Sequence, residues 1–320
     1  MPLPERQIIE RIRRAAKPAP GRFKGTGMGD DCALLQVPAG RELLVTTDFS
    51  LESVHFRRDW HPAESVGHRC LARGLSDIAA MGGEPLACFL SLALPKQLPQ
   101  KWIDDFMRGL LRLARQSETT LAGGDTAQSP DPIAADIVVV GTVPAGQAIL
   151  RSGARPGDSI YVTGELGGSA ATLDLMNSKK KRRLSPKAYQ RHFFPRPRIL
   201  IGRMVREKGL ASAMIDLSDG LSTDLTHICE ESGIGAELWP AAIPRARIDN
   251  KQVGFRFALH GGEDYELLFT APSGRQVPER LGGVRVTKVG VVTRGKQVYL
   301  KDTLGKRGLE PQGWEHFRPS

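Results

Sequence analysis

Three consecutive stretches decide how the chain folds: Leu43-Leu-Val-Thr-Thr-Asp48, Pro62 through Met81, and Leu86-Ala-Cys-Phe-Leu-Ser-Leu-Ala-Leu94. The first reads as a strand ending in polar residues. The second opens on a proline, which suits the first turn of a helix, and stops at Gly82-Gly83. The third is apolar throughout and reads as a buried strand. Helical spacing returns over 101–116, where Ile103, Phe106, Leu110, Leu113 and Ala114 share a side, and Asp136–Val143 is another strand. Gly123-Gly-Asp125, between them, reads as a turn. Upstream, residues 5–17 suit a short basic helix ended by Pro18 and Pro20.

After Pro144 the pattern restarts. A strand at 160–163 precedes Gly164–Gly168, which opens a small-residue helix. A helix near 196–208, the strand Ala213–Leu217, a helix over 219–231 and strands at 267–270 and 284–292 follow. No internal repeat is evident. Strands alternating with helices argue for α/β and α+β layering. At 320 residues two domains are expected, with the boundary placed at 1–148 and 149–320.

Composition narrows the class. Forty per cent apolar residues, with 35 Gly and 22 Pro, suit a turn-rich globule. The formal charge of +10 suits an enzyme that gathers phosphates as well as it suits a solvated surface or a nucleic-acid binder. The densest basic run, Lys179-Lys-Lys-Arg-Arg183, reads as an exposed loop, and a nucleic-acid partner is not expected. Cys32, Cys70, Cys88 and Cys229 form no CxxC pair and read as buried, reduced thiols of a cytoplasmic protein. No stretch has the length and apolarity of a membrane span or a signal peptide.

The only near match to a Walker loop is Gly290-Val-Val-Thr-Arg-Gly-Lys296, but Gln297 follows it and it reads as a hairpin turn between strands. What recurs instead is an aspartate among Gly, Ser and Thr at the end of an apolar element: Asp30 and Asp31, Asp48, Asp77, Asp125, and Asp216 with Asp219. Carboxylates and hydroxyls are hard oxygen donors of the kind Mg²⁺ takes. Each also has a plainer reading. Asp77 could pair with Arg73 along a helix, Asp219 or Ser218 could cap one, and Asp30 and Asp31 could be turn residues. Arg151 and Arg155 lie in a turn suited to phosphate contact or to plain solvation. The acids of Gly261-Gly-Glu-Asp-Tyr-Glu266 could meet a cationic substrate or form an ordinary acidic turn. His55 could be structural, and Trp314 could close over a ring or pack the tail down.

In chain order, seven groups of motifs resemble the thiamine-monophosphate kinases. They are Gly-Met-Gly-Asp-Asp-Cys-Ala-Leu-Leu (27–35), Thr-Thr-Asp (46–48) with Val-His-Phe (54–56), and Leu-Ser-Asp-Ile-Ala-Ala-Met-Gly (75–82). Gly-Gly-Asp-Thr (123–126), Arg-Ser-Gly-Ala-Arg-Pro-Gly-Asp (151–158), Asp-Leu-Ser-Asp-Gly-Leu (216–221) and Gly-Gly-Glu-Asp-Tyr-Glu-Leu (261–267) complete the series. The resemblance implies the fold shared with aminoimidazole ribonucleotide synthetase. In that fold an N-terminal α/β domain binds metal and ATP and pairs its sheet across a homodimer, and a C-terminal α+β domain completes the active site. It implies that Asp31, Thr46, Thr47, Asp48, Asp77, Asp125, Asp216 and Asp219 hold several Mg²⁺ ions. Gly124, Asp125, Arg151 and Ser218 would contact ATP, and His55, Glu263 and Trp314 would contact thiamine monophosphate.

The implied reaction is direct in-line transfer to a phosphate monoester. That acceptor is largely dianionic at neutral pH, its second pKa being about 6, so no general base or protein nucleophile is expected. Two segments depart from the family pattern: Arg73-Gly74 before Leu-Ser-Asp, and Phe49–Ser53 after Asp48. Both put fine substrate contacts in question and neither removes a proposed ligand. Selenophosphate synthetase and the hydrogenase-maturation dehydratase are disfavoured, because no cysteine precedes Cys32 and the tail ends Phe-Arg-Pro-Ser320. The rivals left are an aminoimidazole ribonucleotide synthetase-like enzyme and a basic nucleic-acid-binding protein.

Overall fold

The computed structural model of the chain describes residues 2–16, 25–28, 32–178, 184–314 and 317. It divides into two compact units, Met1–Ile78 with Gly83–Gly146, and Ala79–Gly82 with Gln147–Ser320.

The first unit runs α1 (Glu5–Ala15), β1 (Gly25–Thr26), β2 (Leu34–Leu35), β3 (Arg41–Leu51), α2 (Ala63–Ala80), β4 (Glu84–Pro95), α3 (Gln100–Gln116), β5 (Thr120–Ser129) and β6 (Ala134–Pro144). Its main sheet has the order β3-β6-β4-β5; only β4 and β5 are parallel, as the α3 crossover between them requires. Strand alternation sorts β3 cleanly. Leu44 and Ser50 are buried, whereas Leu43, Val45 and Phe49 are 48%, 65% and 59% exposed. Glycines let the layers close on the buried side. A Cβ on Gly67 would stand 1.9 Å from the Phe106 carbonyl oxygen, and one on Gly109 1.8 Å from that of Glu64, so α2 and α3 touch backbone to backbone. A Cβ on Gly74 would stand 2.6 Å from Val139 Cγ2, which gives the unusual Gly74 a packing reason. Phe106 is fully buried and stacks on Trp102; truncating such a side chain to alanine costs about 3–5 kcal/mol.

The second unit runs β7 (Ser159–Thr163), α4 (Gly168–Asn177), α5 (Gln190–Phe193), α6 (Ile199–Glu207), β8 (Ala213–Asp216), α7 (Leu221–Ser232), β9 (Gly235–Leu238), β10 (Arg247–Ile248), β11 (Lys251–Gln252), α8 (Phe255–His260), β12 (Leu267–Ala271), β13 (Arg280–Leu281), β14 (Val284–Thr293), β15 (Val298–Asp302) and β16 (Gly305–Gly308). The main sheet has the order β16-β15-β9-β14-β7-β12-β8, with β13 on β14. Its strands β7, β8 and β12 are apolar on both faces. Ile160, Val162, Ile215 and Leu268 join one core with Leu225 and Ile228 of α7, while Met214, Leu267 and Phe269 join another with Ile201 and Val205 of α6.

The two-domain α/β and α+β architecture is the one expected, with two local corrections. Gly123-Gly-Asp125 lies within β5 and is not a turn. A Cβ on Gly124 would fall 1.9 Å from the Leu90 carbonyl oxygen, so the glycine serves a close approach of β5 to β4 just past the register shift at Cys88/Phe89. The Gly290–Lys296 segment is not a hairpin either, because β9 lies between β14 and β15. Residues 294–297 bridge one intervening strand, about 10 Å at the usual spacing. Among the described residues no helix is long and apolar enough to cross a membrane. Cys70, Cys88 and Cys229 are buried free thiols, and Cys32 is free but exposed, against the expectation that it be buried with the rest.

Candidate active site

In the first unit the candidate donors stand on regular elements. Thr46 and Thr47 are neighbours on β3, so their side chains leave opposite faces of the sheet. Thr46 Oγ1 donates a short hydrogen bond to Asp77 Oδ2 on α2, and Thr47 Oγ1 donates to Asp136 Oδ1 on β6 at 2.8 Å. Asp48 shares the Thr46 side by period. Register then lines up Phe49, Asp136, Ser91 and Asp125 as neighbours across all four strands, with Asp125 and Gly124 exposed on β5. His55 follows β3 in a turn, where its Nδ1 accepts the Leu51 N–H at 3.0 Å. Asp31 and the run 179–183 lie outside the described residues.

Next to these donors Cys70 is fully buried, which pushes its thiol up to about 12; Ser50 and Arg73 oppose the rise, and the Asp48 and Asp136 charges add to it. Burial likewise pushes Cys229 up to about 12 and raises Cys88. None of the three ionises near neutral pH, so none is primed as a nucleophile.

In the second unit the candidates sit on connections, and backbone hydrogen bonds draw them together. Asp216 ends β8 and is 2% exposed. From there the chain is zipped to residues 261–266: Leu217 N–H donates to Glu266 O at 2.8 Å, Tyr265 N–H to Leu217 O at 3.0 Å, and Glu263 N–H to Ser218 O at 2.7 Å. The contact is so close that a Cβ on Gly262 would stand 2.3 Å from Ser218 O. Glu263 and Tyr265 both take left-handed backbone, with φ of 64° and 50°, a conformation that costs non-glycine residues roughly 1–3 kcal/mol each. The tail closes the group: Trp314 N–H donates to Asp219 O at 3.2 Å and Gly313 N–H to Thr223 Oγ1 at 3.0 Å. Trp314 stays 54% exposed. Asp216, Ser218, Asp219, Glu263 and Trp314 thus gather at the N-terminal end of α7.

The three acids of the 261–266 motif separate by role. Glu266 is buried in an ion pair with Arg198 and accepts Thr163 Oγ1 at 2.6 Å. Asp264 accepts the N–H groups of Gly167 at 2.6 Å and Ser169 at 3.3 Å at the start of α4, and burial pushes it up to about 7. Glu263 is partly exposed and stands on the left-handed turn beside Ser218. Arg151 is held elsewhere in this unit. Its carbonyl accepts Ser232 Oγ at 3.3 Å at the C-terminal end of α7, a helix length of about 18 Å from Asp219.

Two acids escaped the sequence reading. Asp136 was legible only as a lone charge in an apolar strand. Asp224, inside α7, is 1% exposed; burial, together with the charges of Asp216 and Asp219, pushes its carboxyl well above the usual range. The donor chemistry fits Mg²⁺. Every candidate donor is a carboxylate or a hydroxyl, and among the described residues no group of three or more His, Cys, Asp or Glu side chains stands ready to hold a metal ion without further ligands. Mg²⁺ is commonly held by one or two carboxylates completed by water and substrate phosphates.

Such a pair of domains defines an AIR synthase-related protein. Residues 29–143 match the family model of the AIR synthase related protein N-terminal domain, and residues 155–303 that of the C-terminal domain. Thiamine-monophosphate kinase of Escherichia coli strain K12 is 38% identical over 304 residues, 91% of this chain and 91% of that enzyme. The crystal structure of thiamine-monophosphate kinase from Stenotrophomonas maltophilia K279a is similar with a TM-score of 0.79 at 34% identity, covering 94% of this chain and 97% of that one. The structure of AaThiL complexed with AMPPCP and TMP has a TM-score of 0.78 at 30% identity, covering 97% and 96%. The chain belongs to the thiamine-monophosphate kinase family.

Proposed function

We propose that the protein transfers the γ-phosphoryl group of ATP to the phosphate of thiamine monophosphate, giving thiamine diphosphate and ADP. The observation that carries this reading is the convergence of Ser218 and Asp219 with Glu263 and Trp314, through the Glu263 N–H to Ser218 O and Trp314 N–H to Asp219 O bonds. It sets a partly exposed acid and an exposed aromatic face, both suited to a cationic thiazolium ring, beside oxygen donors suited to phosphate. His55 is assigned to the same substrate, and Gly124, Asp125, Arg151 and Ser218 to ATP. Asp31, Thr46, Thr47, Asp48, Asp77, Asp125, Asp216 and Asp219 would hold several Mg²⁺ ions, which when bound neutralise phosphate charge and bring the two anions into line.

An oxygen of the acceptor phosphate attacks the γ-phosphorus while the bond to the ADP oxygen breaks. The acceptor is already ionised, so no protein base is required, and the buried thiols offer no covalent carrier. Trapping a phosphorylated protein after mixing with ATP alone would overturn direct transfer. The exposed apolar side chains Leu43, Val45 and Phe49 on the edge strand β3 suit pairing with a second copy, so a homodimer, in a cytoplasmic setting where ATP is at hand, belongs to the same reading. Sedimentation as a monomer at micromolar concentration would remove that part. The deciding experiment is an assay with ATP, Mg²⁺ and thiamine monophosphate that watches for thiamine diphosphate. Folded protein that makes none overturns the assignment.

A further inference from the structure

The turn that carries Ser218 and Asp219 needs more than its carbonyl contacts to hold its shape. Its carbonyls are engaged from outside: Ser218 O by the Glu263 N–H at 2.7 Å, and Asp219 O by the Trp314 N–H at 3.2 Å. Its N–H groups are engaged from within the next helix. The cap residue of α7 is Gly220, and no side chain caps the helix from that position. Instead Asp224 reaches back, and its Oδ2 accepts the N–H groups of Gly220 at 2.9 Å and Asp219 at 3.2 Å. The Asp224 N–H in turn donates to Gly220 O at 2.9 Å. The pattern resembles a capping box displaced one residue into the helix. A shorter acid, one position later, folds the turn back over the helix end. Gly220 allows this with φ of 115°, where a Cβ would meet the His260 carbonyl at 2.7 Å.

We infer that Asp224 is a positioning residue for the phosphoryl transfer. By holding the N–H groups of Asp219 and Gly220 from behind, it sets the orientation in which Ser218 and Asp219 meet the nucleotide phosphates and their metal. Being 1% exposed, it acts through the turn and not on substrate itself. The inference rests on the kinase reading above for what the turn is for, and on the hydrogen bonds alone for what Asp224 does to it.

The test joins a readout of the turn to one of the reaction, in the full chain. Hydrogen exchange of the Asp219 and Gly220 amides reports the grip directly, and turnover against Mg²⁺ concentration reports its use. Asp224→Ala speeds exchange at both amides and lowers turnover about 10²-fold, the cost of a displacement near 1 Å. Asp224→Asn keeps a carboxamide oxygen that accepts the same two N–H groups, so it restores slow exchange and most of the turnover. Asp224→Glu keeps the charge but displaces the oxygen by a methylene, and it behaves like the alanine variant. Protected amides in Asp224→Ala, or wild-type turnover with unprotected ones, overturn the inference. So does an Asp224→Asn protein that keeps slow exchange yet is as slow as Asp224→Ala, because the charge and not the grip would then matter. Should Asp224→Ala not fold, the Asn and Glu variants decide alone. If the wild type makes no thiamine diphosphate, the kinase reading fails, while exchange and calorimetric binding of Mg²⁺–ATP still judge Asp224.

Discussion

The two units present similar candidate oxygen donors by opposite means. In the first, Thr46, Thr47, Asp77 and Asp125 stand on β3, α2 and β5, whose ladders fix the backbone without help from the site. Side-chain bonds, Thr46 to Asp77 and Thr47 to Asp136, then fix the donors. In the second, Asp216, Ser218, Asp219, Glu263 and Trp314 lie at a strand end and on connections, and the backbone itself must be held by Glu263 N–H, Trp314 N–H and Asp224 Oδ2. A donor on a strand can lose its charge and leave the fold untouched. A donor on a stitched turn depends on neighbours such as Gly220, Gly262 and the left-handed Tyr265, to which no chemistry is assigned.

The largest expected effect lies in the first unit. Asp125→Asn, exposed on β5, lowers turnover by about 10²–10³-fold, in the range for removal of one preorganised electrostatic contact. Its urea midpoint stays at the wild-type value; near-normal turnover would take Asp125 off the list of ligands. Next comes Gly262→Ala in the second unit, whose added Cβ cannot remain 2.3 Å from Ser218 O. Turnover falls about 10²-fold as the zip between the two segments opens, and the urea midpoint falls with it. Full activity in this variant would break the contrast between the units.

The smallest effect concerns Asp264. Its carboxyl is near 7 in the folded chain and about 3.9 when unfolded. Between those values the native state holds the proton and the unfolded state does not, so this group's contribution to stability falls as pH rises from about 4 to about 7. Asp264→Asn keeps an acceptor for the Gly167 and Ser169 N–H groups and removes that fall. Urea midpoints at pH 4.5 and 7.5 should therefore converge relative to wild type; an unchanged difference would remove Asp264 as the source.

Long periodic segments were legible in advance. Apolar spacing and proline and glycine stops place the helices 63–80 and 100–116, most of the strand 134–144 and the middle of the strand 41–51, which continues three residues past the polar end expected at Asp48. Gly123-Gly-Asp125 was not legible, because two glycines read alike as a turn and as a strand pressed against a neighbouring carbonyl. The plainer readings of the aspartates could not be settled locally either. Asp77 accepts a hydroxyl 31 positions away, and the helix after Asp219 is served by Asp224 rather than by Ser218 or Asp219.

The longest elements, the presence of two domains and the oxygen-rich character of the candidate site are written in the sequence, because period, breakers and residue chemistry are local properties. The sequence also carried, in the order of its motifs, the family to which the chain belongs. Which acids are taken up in the fold emerges only from long-range contacts. Glu263, Asp264 and Glu266 lie within four residues, yet one is left partly exposed, one caps a helix and one is buried against Arg198. The sorting of Asp264 and Glu266 depends on partners 68 to 103 positions away, which no local pattern encodes.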